Sequence, residues 1–304
     1  MRIGFLSNQL DIRGTGNALY NYAHYNEELL GNQSKIFTYS TGAHSDSAIS
    51  NFKKRFGEIY YIGDGYSDIE ALYHIKSGYN DNFYSPVPYL VHSVFDNEPH
   101  GTVYATISPW MGERFSLPYV PHIVTLADYD ITLRDILNIP NDATVFGRHG
   151  GFDSFDIPFV WDAINELLLS RDDVYFLFMN TQKPDIIIRD DRIFFLDASI
   201  DSFYKKAFIN TCNAMIHARS RGETFGIAVG EFAISGIPVI TYEDSPEKAH
   251  LQELGNFAYL YKDKDSLLKQ FNLLIKFPGL TFGYGQYTPE KVMKKFNEVF
   301  LCGL

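Results

Sequence analysis

Glu223-Thr224-Phe225-Gly226-Ile227-Ala228-Val229-Gly230-Glu231-Phe232-Ala233-Ile234, followed by Ser235-Gly236-Ile237-Pro238-Val239, is the stretch that decides how this 304-residue chain folds. From Phe225 to Ile234 it is apolar on nearly every side, and Gly236 with Pro238 beyond it marks a helix end. A helix of that composition is buried all round. Glu231 therefore needs a partner, because a carboxylate buried alone is costly or takes up a proton. Glu223 precedes a glycine-containing turn, and the helix N-terminus after such a turn offers backbone N–H groups and a positive dipole end to phosphate oxygens. The spacing of the two acids carries little by itself in a chain with 37 Asp and Glu, where a salt bridge or helix cap would account for either. Their apolar, glycine-turn setting carries the argument.

Working outward, Ala214-Met215-Ile216-His217 reads as a strand entering the stretch and Pro238-Val239-Ile240-Thr241 as a strand leaving it. Upstream, Thr144-Val145-Phe146-Gly147-Arg148 is a strand that ends on a Gly/His loop. A helix follows over 157–169, strands over 174–179 and 192–196, and a helix over 202–210. The first half carries its own series: a strand over 2–7, a loop containing Gly14-Thr15-Gly16, a helix over 17–30 and a strand over 34–39. A helix over 48–56, a strand over 59–62, a helix over 67–77 and a strand over 87–92 complete it. Short extended pieces over 105–108 and 119–124 flank Trp110, and Pro289 opens a last helix with Val292, Phe296 and Phe300 on one face. Such alternation predicts parallel sheets with helices on both faces. Two series predict an α/β protein of two Rossmann-like domains facing each other across a cleft. The expected bounds are 1–125 and 126–288, with the hinge near 124–143 and the helix of 289–304 packing back towards the first domain.

Composition narrows the function. A net charge of −11 argues against a nucleic-acid backbone or an anionic membrane surface as main partner. No apolar run reaches 18 residues, and the first strand meets Ser7-Asn8-Gln9 too soon for a signal peptide, so a cytoplasmic protein with no integral membrane segment is expected. Cys212 and Cys302 form neither a disulfide framework nor a zinc pair. No metal site is expected.

Over 197–241 the chain resembles the nucleotide-binding half of retaining GT-B glycosyltransferases, family 4 in particular. There a strand leads to Glu-x-Phe-Gly, a second Glu follows after seven intervening residues, and a small-residue-Gly-x-Pro-Val strand comes next. The resemblance implies that Glu223 lies against the donor sugar, that Glu231 accepts hydrogen bonds from ribose hydroxyls, and that backbone amides at Phe225 and Gly226 approach the diphosphate. Ser220 and Thr224 within the motif are taken as donor contacts with them. Phe146-Gly147-Arg148 resembles the strand end where the family has Gly-Arg, which implies that Arg148 compensates diphosphate charge. The Lys that usually follows is missing from His149-Gly150-Gly151-Phe152-Asp153-Ser154-Phe155-Asp156, and Lys205, Arg219 and Arg221 are the candidates to replace it. Arg13-Gly14-Thr15-Gly16-Asn17 is similar to the family's glycine loop, so Gly14, Thr15 and Gly16 are expected near the donor phosphates. His92 corresponds to a cleft histidine near the donor sugar, whereas His100, His122, His149 and His217 read as structural. Tyr204 and the segment 195–199 resemble the region flanking the nucleobase.

The activity so implied is sugar transfer, with retention, from a nucleoside-diphosphate sugar of UDP or GDP type to a hydroxyl of a glycan or other soluble acceptor. Glu223, His92 and Arg148 would be catalytic, with no cofactor beyond the donor. A dinucleotide oxidoreductase is disfavoured, because Leu19 stands where G-x-G-x-x-G needs its third glycine. A nucleotide-sugar epimerase and a non-catalytic nucleotide-sugar-binding protein remain as alternatives.

Overall fold

The computed structural model describes residues 1–62, 68–184 and 191–304. They form two compact units, one of Met1–Ile123 with Gln286–Leu304 and one of Val124–Gly285.

The first unit runs β1 (Arg2–Ser7), α1 (Gly14–Glu28), β2 (Gln33–Thr38), α2 (Asp46–Phe56), β3 (Ile59–Tyr61), β4 (Ala71–Lys76), β5 (Tyr89–Ser93), β6 (Val103–Thr106) and α3 (Pro109–Phe115). Its strands make one parallel sheet in the order β3-β2-β1-β4-β5-β6. The helix expected over 67–77 is instead the strand β4; Ser67 lies outside the described residues. All six residues of Ala71–Lys76 are buried, so the strand shows no alternation of polar and apolar positions, and a short apolar run buried on both faces is indistinguishable from helix by period. The extended piece over 119–124 contributes only a bridge between Thr106 and Tyr119.

The second unit contains α4 (Arg134–Leu137), β7 (Thr144–His149), α5 (Pro158–Ser170), β8 (Val174–Met179), β9 (Ile193–Leu196), α6 (Ser202–Thr211), β10 (Ala214–His217), β11 (Gly222–Glu223) and α7 (Ile227–Ile234). It continues through β12 (Val239–Tyr242), β13 (Glu247–Lys248), α8 (Ala249–Leu254), β14 (Ala258–Tyr261) and α9 (Lys264–Lys276). The main sheet is again parallel, in the order β14-β12-β10-β7-β8-β9. Val160, Ile164 and Leu167 of α5 and Leu267, Phe271 and Leu274 of α9 share a core with Phe146, Phe176 and Phe178 of the sheet. The ribbon β11·β13 pairs Glu223 with Lys248 and so ties the turn before α7 to the start of α8.

The chain returns to the first unit as α10 (Pro289–Phe296), continued by a π-helical turn over Asn297–Leu301. Phe296 stacks on Tyr22 with ring centroids 5.4 Å apart and lies 5.2 Å from Tyr73, while Phe300 meets His92 edge-on at 5.3 Å. These aromatic contacts hold α10 on the sheet.

In both sheets the chain begins in the middle and winds outward in both directions. The order reverses between β1 and β4 in one unit and between β7 and β10 in the other. Crevices at the carboxyl ends of strands at such points are where open α/β sheets bind ligands. No helix among the described residues is long and apolar enough to cross a membrane.

Candidate functional site

The chain leaves β10 at His217, at the switch point of the second unit, and the next residues form a tightly determined turn. Gly222 has φ 78°, and a Cβ there would meet the Glu247 carbonyl oxygen at 2.0 Å, so only glycine lets β11 lie this close to β13. Gly226, at φ 88°, is the N-cap of α7 and supplies no side-chain cap. The Tyr284 hydroxyl donates to the Phe225 carbonyl at 2.6 Å and pins the turn from behind. The first amides of α7 therefore receive no acceptor from their own N-cap side chain.

Glu223 closes this turn with two protein partners. Its Oε1 is 3.2 Å from His217 Nε2, and its Oε2 receives Arg219 Nη1 at 2.7 Å. Burial works against its ionisation, but the His217 hydrogen bond and the neighbouring Arg219, His217 and His250 outweigh it and hold the carboxyl down at about 2. Behind it runs a buried relay. His217 Nδ1 is 2.9 Å from Thr241 Oγ1, which is 3.1 Å from His250 Nε2. If His217 donates to the carboxylate, its Nδ1 accepts from Thr241, whose oxygen accepts from His250. His250 Nδ1 is then a bare acceptor, in accord with its burial without a partner.

Glu231 lies in α7, 2% exposed. Its Oε1 pairs with Lys205 Nζ of α6, and its Oε2 is 3.2 Å, off the hydrogen-bond axis, from His149 Nε2 at the end of β7. Burial pushes this carboxyl above its ordinary range against the pull of Lys205, and burial pushes the His149 imidazole well below its own. The sequence marked Glu231 as needing a partner, and the fold supplies one from 26 residues away.

Two of the expected catalytic residues are buried and bonded within the chain. Arg148 is 3% exposed, and each of its Nη atoms donates twice to the chain. Nη1 bonds the Asn180 carbonyl at 3.0 Å and Thr181 Oγ1 at 2.6 Å, while Nη2 bonds the Gly151 carbonyl at 2.6 Å and Ser154 Oγ at 2.7 Å. Burial lowers its pKa to about 10, and the charge of Glu223 is the largest opposing influence. It is the buried anchor of the loop after β7. His92 is wholly buried in the first unit, with Nδ1 2.6 Å from the Tyr73 hydroxyl and Nε2 2.9 Å from the Val120 carbonyl. Both nitrogens are engaged, and burial keeps its pKa at about 4. It is a core histidine.

The remaining expected residues divide between the units. Gly14, Thr15 and Gly16 form the first turn of α1 rather than a loop, with Arg13 as an N-cap that gives no side-chain bond. A Cβ on Gly16 would meet the Asp11 carbonyl oxygen at 2.1 Å, so its glycine serves a close backbone approach. In the second unit Ser220 is exposed and bonded through N and Oγ to Asp156, and Thr224 is buried beside Phe225. His149 and His217, which read as structural in the sequence, are the imidazoles that meet the two carboxylates. Among the described residues no group of three or more His, Cys, Asp and Glu is arranged to hold a metal ion.

Neither a protein-family model nor a curated protein matches the sequence. Solved structures do match the fold over nearly the whole chain. Anabaena HepE in complex with UDP-glucose is similar with a TM-score of 0.68 at 14% identity, covering 99% of this chain and 95% of that one. A glycosyltransferase from Rickettsia africae gives 0.63 at 11% identity over 98% and 94%. A putative UDP-N-acetylglucosamine 2-epimerase from Listeria monocytogenes gives 0.61 at 10% over 99% and 96%. With its two parallel six-stranded sheets, each reversing direction at its centre, this chain has the GT-B fold of two Rossmann-like units.

Proposed function

We propose that this protein transfers a sugar from a nucleoside-diphosphate sugar, of UDP or GDP type, to a hydroxyl of a glycan or other soluble acceptor, with retention of configuration. The observation that carries this is the uncapped start of α7 at the switch point of the second sheet, with Glu223 just before it and Glu231 within it. Backbone N–H groups at Phe225, Gly226 and the first turn of α7 meet the diphosphate, the helix dipole favours the charge that grows there, and the carboxylates take hydroxyls of the donor sugar and ribose. Ser220 and Thr224 flank Glu223 on either side of the same turn of the second unit. The bond from the anomeric carbon to the phosphate oxygen breaks, and the acceptor oxygen bonds the same face of that carbon. The acceptor proton passes to the departing diphosphate. This route uses no protein nucleophile, no metal and no organic cofactor. Arg148 contributes its field from behind the loop rather than a contact.

The test is incubation with UDP-, GDP- and dTDP-sugars, with and without saccharide acceptors, following nucleotide release and the anomeric configuration of the product by NMR. Acceptor-dependent release with a retained anomer is expected. Absence of binding and turnover with every donor would refute the proposal. A second reading, nucleotide-sugar epimerisation, draws on the likeness of the fold to the Listeria 2-epimerase. It requires conversion of the donor sugar with no acceptor present.

A further inference from the structure

The two carboxylates of the candidate site are held in the same way. Each has one oxygen beside a buried imidazole and the other on a cation: Glu223 lies between His217 and Arg219, and Glu231 between His149 and Lys205. The histidines are held by their surroundings. His217 is bonded to Thr241, and His149 is stacked on Phe232 with ring centroids 5.5 Å apart. The cations are not so confined: the side chains of Arg219 and Lys205 are about one-fifth exposed, at 22% and 19%. Arg148 and His149, consecutive at the end of β7, connect the two pairs. Arg148 is within electrostatic reach of Glu223 and Arg219, and His149 of Lys205.

Arg148 itself has no Nη hydrogen left for a ligand, and the loop after β7 contains no lysine. Arg221 faces another way, with its Nε on Glu247 at 2.7 Å. A diphosphate arriving at α7 still needs cationic donors, because helix amides alone leave much of its charge unmet. We propose that Arg219 and Lys205 are the diphosphate-binding cations of this chain, held in reserve on Glu223 and Glu231 and released when hydroxyls of the donor replace them on those carboxylates. This rests on the transferase reading for the identity of the ligand. The exchange leaves every group with a partner. Without ligand each cation neutralises a carboxylate; with donor bound each cation meets phosphate, while each carboxylate stays beside its imidazole and accepts hydrogen bonds from neutral hydroxyls in place of the cation.

Calorimetric titration of the full chain with UDP, GDP and the corresponding nucleosides tests this, with folding of each variant checked by circular dichroism. In Arg219→Gln and Lys205→Gln the affinity for the nucleoside diphosphate is expected to fall about tenfold or more in each, while nucleoside affinity holds within about twofold. Arg219→Lys and Lys205→Arg should recover part of the loss. Unchanged diphosphate affinity in both Gln variants would overturn this assignment and leave the transferase reading standing. A parallel loss of nucleoside and diphosphate affinity would also overturn it, because the cations would then only be holding the carboxylates in place. A wild-type chain that binds neither UDP nor GDP would overturn both proposals.

Discussion

Arg148 shows how one side chain's role depends on what surrounds it. A guanidinium at the end of a parallel strand is well placed to meet an anion, yet here its fork faces two carbonyls and two hydroxyls of the loop that follows. Replacing it with methionine would leave several of those acceptors without donors in a buried setting. We expect Arg148→Met to lower stability in urea unfolding by about 3 kcal/mol or more. If the variant keeps its unfolding midpoint and loses only nucleotide affinity, Arg148 contacts the ligand after all and the anchoring role is wrong. Glu223 and Glu231 form the opposite case. They are chemically alike and eight residues apart, yet one is held well below the ordinary carboxyl range and the other above it. Glu223 combines a hydrogen-bonded imidazole with an arginine at its partly exposed edge, whereas Glu231 is more deeply buried and has a lysine and an off-axis imidazole.

Among the elements, α10 connects the distant end of the chain to the first sheet. Its amphipathic spacing brings Val292, Met293 and Phe296 inward, and Phe296 is fully buried against Phe5, Tyr22 and Tyr73. Lys291, Lys294 and Lys295 lie on the same short helix, and Lys295 covers the Tyr119 ring. Phe296→Ala opens a cavity in that aromatic cluster and should cost about 3–5 kcal/mol in chemical unfolding. A loss below about 1 kcal/mol would mean that α10 is only loosely docked. The same aromatic cluster encloses His92, so the helix also helps keep that imidazole dry and neutral.

Across the whole molecule, buried neutral imidazoles make stability depend on pH. Burial lowers the pKa of His74 to about 3 and of His92 to about 4, and it lowers His122, His149 and His250 well below the ordinary value. Each takes up a proton near pH 6.5 when unfolded but stays neutral when folded. Their contribution is therefore fully present above about pH 6.5 and is lost as the pH falls towards 4, at up to roughly 1.4 kcal/mol per group per pH unit. Thermal unfolding followed at pH 7.5, 6 and 5 should show a steep fall in midpoint. A midpoint that stays level from pH 7.5 to 5 would contradict the neutral burial of these side chains.

Hydrophobic periodicity and glycine placement determined the α/β alternation, the two series of elements and the turn from Glu223 to Gly226, because these depend on neighbours within a few residues. The same local evidence misplaced β4, whose burial on both faces erases the period, and read Gly14-Thr15-Gly16 as loop where it begins α1. The segment after β12, with β13, α8, β14 and α9, was not assigned from the sequence, although the Asp263 cap and the spacing of Leu267, Phe271 and Leu274 mark α9. Among the candidate residues, sequence identified which were chemically notable but not which were reachable. Arg148 and His92 were withdrawn from the surface by Thr181 and Val120, partners 33 and 28 residues away. His149 and Lys205 were brought onto Glu231 by a strand end and a helix that meet only in the folded sheet, whereas His217 and Arg219 reach Glu223 from the same turn. Local structure follows from short-range sterics and burial pattern, which the order of residues contains. The electrostatic partner of a deeply buried charge such as Glu231 is set by tertiary packing, and only the folded chain decides it.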